Sequence, residues 1–263
     1  MSESFGVVLN PHTIRFERVI PVSADVLWKY FAEAEYSSKW LLKGGPSLDS
    51  GMVDMSANEP DPDGNFHHII GLVQEAEPGL VLSYSWFEPD QDASSYVRFE
   101  LQPLDDQQTL LILTHSLLSP RFMPLVGPGW HLHLDMLLAV VQGESLPFSD
   151  AKFTELFKKY GVVLVAAGIV AGASASPAAA QNDGHSYEAV NQARATLLRD
   201  YDRLFKDARA LQREIDSLKK ISRNNDVDSA LDQLDRDFKN KVQDLRHIEL
   251  NLKDLDKALI EMK

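Results

Sequence analysis

The chain contains no cysteine. Disulfides, thiolate nucleophiles and Cys-ligated zinc are thereby excluded, while the redox compartment stays open, because a cysteine-free chain is stable in either. Basic charge is scarce: 26 Lys and Arg face 39 Asp and Glu, a formal net charge of −13. An acidic chain without a basic patch is a poor partner for nucleic acid, and none is expected. There is no Gly-rich phosphate loop, since Gly64, Gly71 and Gly79 stand alone. Nucleophile elbows, His-x-His strand pairs and His-Glu-x-x-His helices are missing as well, so neither a metal nor a cofactor is expected. Long hydrophobic runs are also lacking. The longest, Gly161–Ala173, has 13 residues, against the roughly 20 that a helical membrane span needs.

What charge there is lies unevenly. Residues 1–184 carry 10 Lys/Arg and 23 Asp/Glu, which accounts for the whole −13, whereas residues 185–263 carry 16 of each. The chain therefore divides into a domain at 1–155, a hydrophobic, signal-like segment or linker at 156–184, and a helical part at 185–263.

In the first domain, Thr13–Ile20 alternates as a strand with Ile14 and Phe16 on one apolar face. Pro21 ends it, and Ser23 is placed to cap a helix over Ala24–Ala32. A second short helix is expected over Ala34–Leu41, presenting Trp40. Ser50-Gly51 opens a further strand. The turn signals Asp61–Asn65 and Glu77–Gly79 bracket a strand at Phe66–Glu75. Strands follow at Leu80–Phe87, Ser94–Leu101 and Thr109–Ser116. Gly127-Pro128-Gly129 reads as a break, with a long helix after it over Trp130–Leu146. One short helical pair, a run of antiparallel strands and a final helix make an α+β helix-grip fold, a curved antiparallel sheet around a long C-terminal helix.

These residues also carry a resemblance. Arg15–Pro21, Val26-Leu27-Trp28 and Lys39-Trp40 resemble the start of the domain family named after the activator of the Hsp90 ATPase, within the superfamily of START and Bet v 1-like proteins (SRPBCC). Gly71–Trp86 is similar to its central strand–turn–strand, and Thr109–Thr114 with Gly129-Trp130, Leu134, Leu137 and Gly143 to its last strand and closing helix. The resemblance spans roughly residues 10–148. It implies a cavity between sheet and helix for a small hydrophobic or amphipathic ligand, as in many bacterial relatives. It also implies two alternatives: cyclase- or hydrolase-like enzymes of the wider superfamily, and regulation of the Hsp90 ATPase. Eukaryotic members use a second, N-terminal domain for the latter, and residues 1–10 are too few to supply it.

No catalytic residue is assigned. His67 and His68 are strand neighbours on opposite faces, so at most one looks into a cavity; His67 is the candidate. His131 and His133 sit two apart on a helix and do not share a face. His133 lies nearer the apolar stripe, and His131 is expected in solvent. Trp28 and Trp130 are expected in the core. The expected ligand-binding set is Trp40, His67, Tyr84, Trp86, Arg98, His115 and His133. Tyr84, Trp86 and His115 enter it because amphipathic tips inside a sheet need a partner. Arg98 enters on condition that its face is inward, where it would have to meet a carboxylate; register decides that.

Lys158-Lys159-Tyr160, the apolar run and Ala178–Ala180 before Gln181 have the layout of a secretory signal peptide, about 157 residues from the start of the chain. Three readings stand: a fusion whose internal segment, with membrane contact through 161–180, anchors the tail or exports it to the periplasm, two reading frames run together, or a flexible Ala/Gly/Ser linker with a short hydrophobic helix that packs on a partner. The acidic start at Ser2-Glu3-Ser4 leads us to expect the first domain in the cytoplasm.

The tail is periodic. Val190, Leu197, Tyr201, Leu204, Ala208, Leu211, Ile215 and Leu218 keep three–four spacing, and Leu231, Leu234, Phe238, Leu245, Ile248, Leu252, Leu255, Leu259 and Met262 resume it after Arg223–Asp226. Two helices of about 35 residues and an antiparallel coiled-coil hairpin follow, with Asp226 placed to cap the second. Tyr201, Phe205 and Phe238 are bulkier than an isolated hairpin needs, so the hairpin is expected to meet a protein partner or a second copy.

Overall fold

The structure is a computed structural model that describes residues 5–57, 67–88, 93–166, 187–220 and 225–262. It separates into two compact units, Met1–Ala179 and Ala180–Lys263.

The first unit is an α+β helix-grip fold. Its strands are β1 (Val7–Asn10), β2 (Thr13–Ile20), β3 (Lys43–Pro46), β4 (Met52–Ser56), β5 (His68–Glu77), β6 (Val81–Glu88), β7 (Ala93–Asp105) and β8 (Gln108–Ser116). They form one open antiparallel sheet in the order β1-β2-β8-β7-β6-β5-β4-β3. Register sets the faces. In β7 and β8, Val97 pairs with His115 and Phe99 with Leu113. These four are buried, while the residues between them, Arg98 and Thr114, are half-exposed. β2 joins with Ile14 opposite His115 and Phe16 opposite Leu113, which completes the concave face.

Helix α1 (Ala24–Ala32) begins where expected: the Ser23 hydroxyl accepts from the Val26 N–H. Helix α2 is shorter than expected, Ala34–Ser37. The chain then tightens into turns, with Trp40 N–H reaching the Ser37 carbonyl at 3.2 Å, and Trp40 is fully buried against Phe31. Strands β1 and β3 had no clear signal in the sequence. The expected Asp61–Asn65 turn and Phe66 lie outside the described residues.

Helix α3 (Met123–Val141) departs most from expectation, starting seven residues before Trp130 and running through Gly127-Pro128-Gly129. Pro124 fits the first turn, where a backbone N–H has no partner anyway; Pro128 removes one later hydrogen bond, a cost that packing offsets. Leu134 and Leu137 are fully buried on the concave face. The helix ends before Leu146 because Gly143 takes a left-handed conformation (φ 80°). The Glu144 N–H then bonds the Ala139 carbonyl, and the Gly143 N–H that of Val140, a Schellman cap.

Helix α4 (Asp150–Ala166) occupies the region read as the basic start of a signal-like segment, and the expected division at 155 falls inside it. Leu156 and Tyr160 are fully buried in the core. Tyr160 Oη accepts the Gly6 N–H at 2.8 Å and lies 3.2 Å from His131 Nδ1. Burial pushes the Tyr160 phenol up to about 12. His131, expected in solvent, is only 2% exposed, because α4 covers it. No helix among the described residues is long and apolar enough to cross a membrane; residues 167–180 lie outside them.

The second unit is the expected hairpin, α5 (Tyr187–Leu218) and α6 (Asn225–Glu261), tightly packed on one another. Leu198, Tyr201, Phe205, Leu245 and Leu252 are buried in the seam. Helix α6 starts at Asn225, so Asp226 lies within its first turn instead of capping it; residues 221–224 of the turn lie outside the described residues.

Candidate functional site

One face of α3 looks onto a cleft of about 210 Å³. Phe122, Val126, Gly129, Trp130 and His133 recur at helical three–four spacing along that face, and Trp86 of β6 with His115 of β8 forms the opposite wall. Leu41, Leu42 and Leu125 add apolar surface, and His67 and Glu88 are the polar groups on its border. The Trp86 and Trp130 rings meet edge to face, centroids 5.4 Å apart, an arrangement favoured by their quadrupoles.

Glycine at position 129 is costly in a helix interior, by roughly 0.5–1 kcal/mol relative to alanine. A Cβ there would meet no atom within 4 Å. At Gly127, two residues earlier and so on the opposite side of the helix, a Cβ would lie 2.8 Å from the Tyr160 ring. Gly127 is thus a packing glycine, and Gly129 faces open space.

Of the residues expected to bind ligand, His67, Trp86, His115 and His133 line the cleft. Tyr84, Trp40 and Arg98 do not. Tyr84 is 2% exposed, stacked on Trp86 and packed against Phe99, where burial pushes its phenol up. Trp40 Nε1 donates to the Tyr30 carbonyl at 2.8 Å, so this ring belongs to the core. Arg98 lies on the outer face of the sheet, paired with Glu75 and with Glu100. Its partners are carboxylates of the protein, because register gives the inward places to Val97 and Phe99. Trp130, expected in the core, fills the core and walls the cleft together.

His115 is committed on both sides. Indole nitrogen only donates, so Trp130 Nε1 donates to His115 Nδ1 at 2.9 Å. The ring proton then sits on Nε2, which donates to Ser95 Oγ at 2.8 Å. Ser95 Oγ in turn donates to the Trp86 carbonyl. Burial depresses the His115 pKa to about 3. This chain of bonds ties α3 to β6, β7 and β8 and holds both tryptophans; it leaves His115 no nitrogen for a ligand.

His133 differs. Its Nδ1 donates to the Trp40 carbonyl at 2.8 Å. Burial lowers its pKa, against a smaller raising effect of that bond. The neutral ring therefore presents Nε2 as an acceptor, with no protein partner among the described residues. At the border, Glu88 Oε1 accepts from Trp86 Nε1 at 2.7 Å and its Oε2 lies 3.7 Å from His67 Nε2. The cleft thus offers apolar and aromatic walls to an apolar body, and hydrogen-bond acceptors at His133 and Glu88 to a donor group attached to it. No group of three His, Asp or Glu that could hold a metal occurs among the described residues. Sequence reasoning missed Gly129, Phe122, Val126 and Glu88. The three–four spacing on α3 would have found the first three had Gly127–Gly129 been read as helix.

Residues 21–142 match the family described as Activator of Hsp90 ATPase homolog 1-like protein. An Hsp90-ATPase-activator-homologue-like domain of the SRPBCC superfamily therefore occupies roughly this span. Among solved structures, the chain is similar to CalU16 from Micromonospora echinospora, with 21% identity over 58% of this chain and 88% of that one, at a TM-score of 0.47. A protein from Bordetella parapertussis is 26% identical over 60% and 89% of the two chains, at a TM-score of 0.49. A conserved protein of unknown function from Enterococcus faecalis is 21% identical over 63% and 92%, at a TM-score of 0.47. No curated protein matches the chain.

Proposed function

We propose that the first unit is a binding module for a small amphipathic molecule, held between α3 and the sheet with its apolar body against Trp86 and Trp130. Gly129 carries this reading. A helix-interior glycine that no neighbour requires, facing the cleft, keeps space open at a cost in helix stability. Ligand sites are concave, mostly apolar and furnished with few polar groups, and His133 Nε2 and Glu88 are such groups. A cyclase or hydrolase has less support, since His115, the buried base the sheet offers, has both nitrogens engaged. The hairpin supports a role as an interaction arm: Leu197, Leu204, Leu211 and Leu218 recur every seven residues on α5 and stay only half-buried, an apolar edge suited to a further helix.

The test is Gly129→Leu. Its Cβ enters open space and the rest of the side chain fills the cleft, so the protein should fold, with helix propensity in its favour. Native mass spectrometry of protein purified from cells should show a small-molecule adduct on the parent chain and none on Gly129→Leu. An adduct that persists in the variant would remove the cleft from consideration.

A further inference from the structure

We infer that the cleft holds the head of its ligand with only the adjoining part of its apolar body, and that the ligand is a single-chain amphipath with a neutral or cationic, hydrogen-bond-donating head whose remaining tail leaves along Phe148, Phe153 and Phe157. This rests on the ligand-binding reading above. The cleft, about 210 Å³, is smaller than the roughly 300–1,000 Å³ of sites that enclose a drug-sized molecule. Its wall does not stop at His133. The His133 ring lies 5.7 Å from Phe148, Phe148 lies 6.0 Å from Phe153, and Phe153 lies 6.5 Å from Phe157. These steps form a continuous aromatic path from the cleft onto α4. The path is open: Phe148 is 45% and Phe157 40% exposed. The fold does not require them there, because α4 is anchored by Leu156 and Tyr160, both fully buried.

Charge selects the head. His133 presents an acceptor, Glu88 a carboxylate, and residues 1–184 hold the entire −13 of the chain. A carboxylate or phosphate head would be repelled, and an alcohol, amide or ammonium accepted.

The experiment titrates the full-length protein with hexylamine, octylamine and decylamine, and with octanoate, by calorimetry and tryptophan fluorescence. Affinity should rise about twofold per methylene, half the logarithmic increment of full burial, because the tail lies on an open surface. Phe148→Ser/Phe157→Ser replaces two exposed rings; it should cut decylamine affinity several-fold and leave hexylamine unchanged. Octanoate should bind at least tenfold more weakly than octylamine. Hexylamine binding with no gain along the series, or a gain that survives the double substitution, overturns the aromatic path alone. Octanoate binding as tightly as octylamine overturns the assignment of the head. Failure of every amine to bind removes the cleft reading and this inference with it.

Discussion

Trp130 Nε1 donates to His115 Nδ1 at 2.9 Å in a fully buried contact between α3 and β8. The bond sets the tautomer of the histidine and, through it, the donor to Ser95. His115→Phe would leave the indole N–H and the Ser95 hydroxyl without this partner inside a dry wall. A loss of about 2–4 kcal/mol is expected. Urea denaturation followed by tryptophan fluorescence measures it cleanly, since Trp28, Trp40, Trp86 and Trp130 all lie in the first unit and the hairpin has none. An unchanged midpoint would show the network to be dispensable.

The same histidine makes the first unit acid-sensitive. Its folded pKa, about 3, lies below the unfolded value of 6.5. Above pH 6.5 both states are neutral and the contribution is complete. Between pH 6.5 and about 3 the unfolded chain binds the extra proton, so stability falls as pH falls, by about 1 kcal/mol per unit. His133, shifted in the same direction by burial, adds to the slope. Midpoints measured from pH 7 to pH 4 should fall more steeply for the parent chain than for His115→Gln. Parallel slopes would count against a buried neutral His115.

Gly127 and Gly129 give a matched pair. Gly127→Ala places a methyl 2.8 Å from the Tyr160 ring and should cost about 1–3 kcal/mol by overpacking. Gly129→Ala meets nothing within 4 Å and should stabilise by about 0.5–1 kcal/mol through helix propensity. Thermal melts of the two variants check this, and equal signs would contradict the placement of α4 against α3.

The strands and the hairpin were legible because each carries one period: alternation in Thr13–Ile20 and Thr109–Ser116, and three–four spacing on both tail helices. The site was legible only in part. His67, Trp86, His115 and His133 were found as amphipathic residues in a half-buried setting, but Arg98 turned on register, which a one-residue slip reverses. Tyr84 and Trp40 are as aromatic as Trp86, and only packing separates core from wall. Gly127-Pro128-Gly129 misled because local propensity favours a break where contacts with Tyr160 and the sheet impose a helix. For α4, Lys158-Lys159 ahead of an apolar run matched a targeting pattern, whereas the buried Leu156 and Tyr160 show a helix packed into the fold.

Tyr160 fastens α4, which lies beyond the family-matched span, to the rest of the first unit. Tyr160→Phe keeps the ring against Gly127 but deletes the acceptor of the Gly6 N–H and the partner of His131. A cost of about 1–3 kcal/mol is expected, chiefly from the buried Gly6 N–H that loses its acceptor. Hydrogen exchange should show faster exchange at the Gly6 amide in the variant; unchanged protection would place the α4 anchor elsewhere.

In the hairpin, Arg194 Nε binds Asp256 Oδ1 at 2.5 Å and Tyr201 Oη donates to Glu249 at 2.7 Å. On each helix the two positions are one heptad apart, so both bonds specify the same antiparallel register. The Arg194 and Asp256 side chains are 13% and 7% exposed, and replacing one takes a charged partner from the other inside the seam. Arg194→Met alone should cost about 3–5 kcal/mol, and Arg194→Met/Asp256→Leu should recover most of it. Circular dichroism at 222 nm, resolved from the tryptophan signal of the first unit, reads both. The double variant has lost one register device, and Tyr201–Glu249 then holds alignment together with the exposed Lys241–Asp207 pair. Adding Tyr201→Phe/Glu249→Leu should therefore broaden the transition while raising its midpoint. A sharp transition in the fourfold variant would mean that the leucines, with the exposed Lys241–Asp207 pair, suffice to fix the pairing.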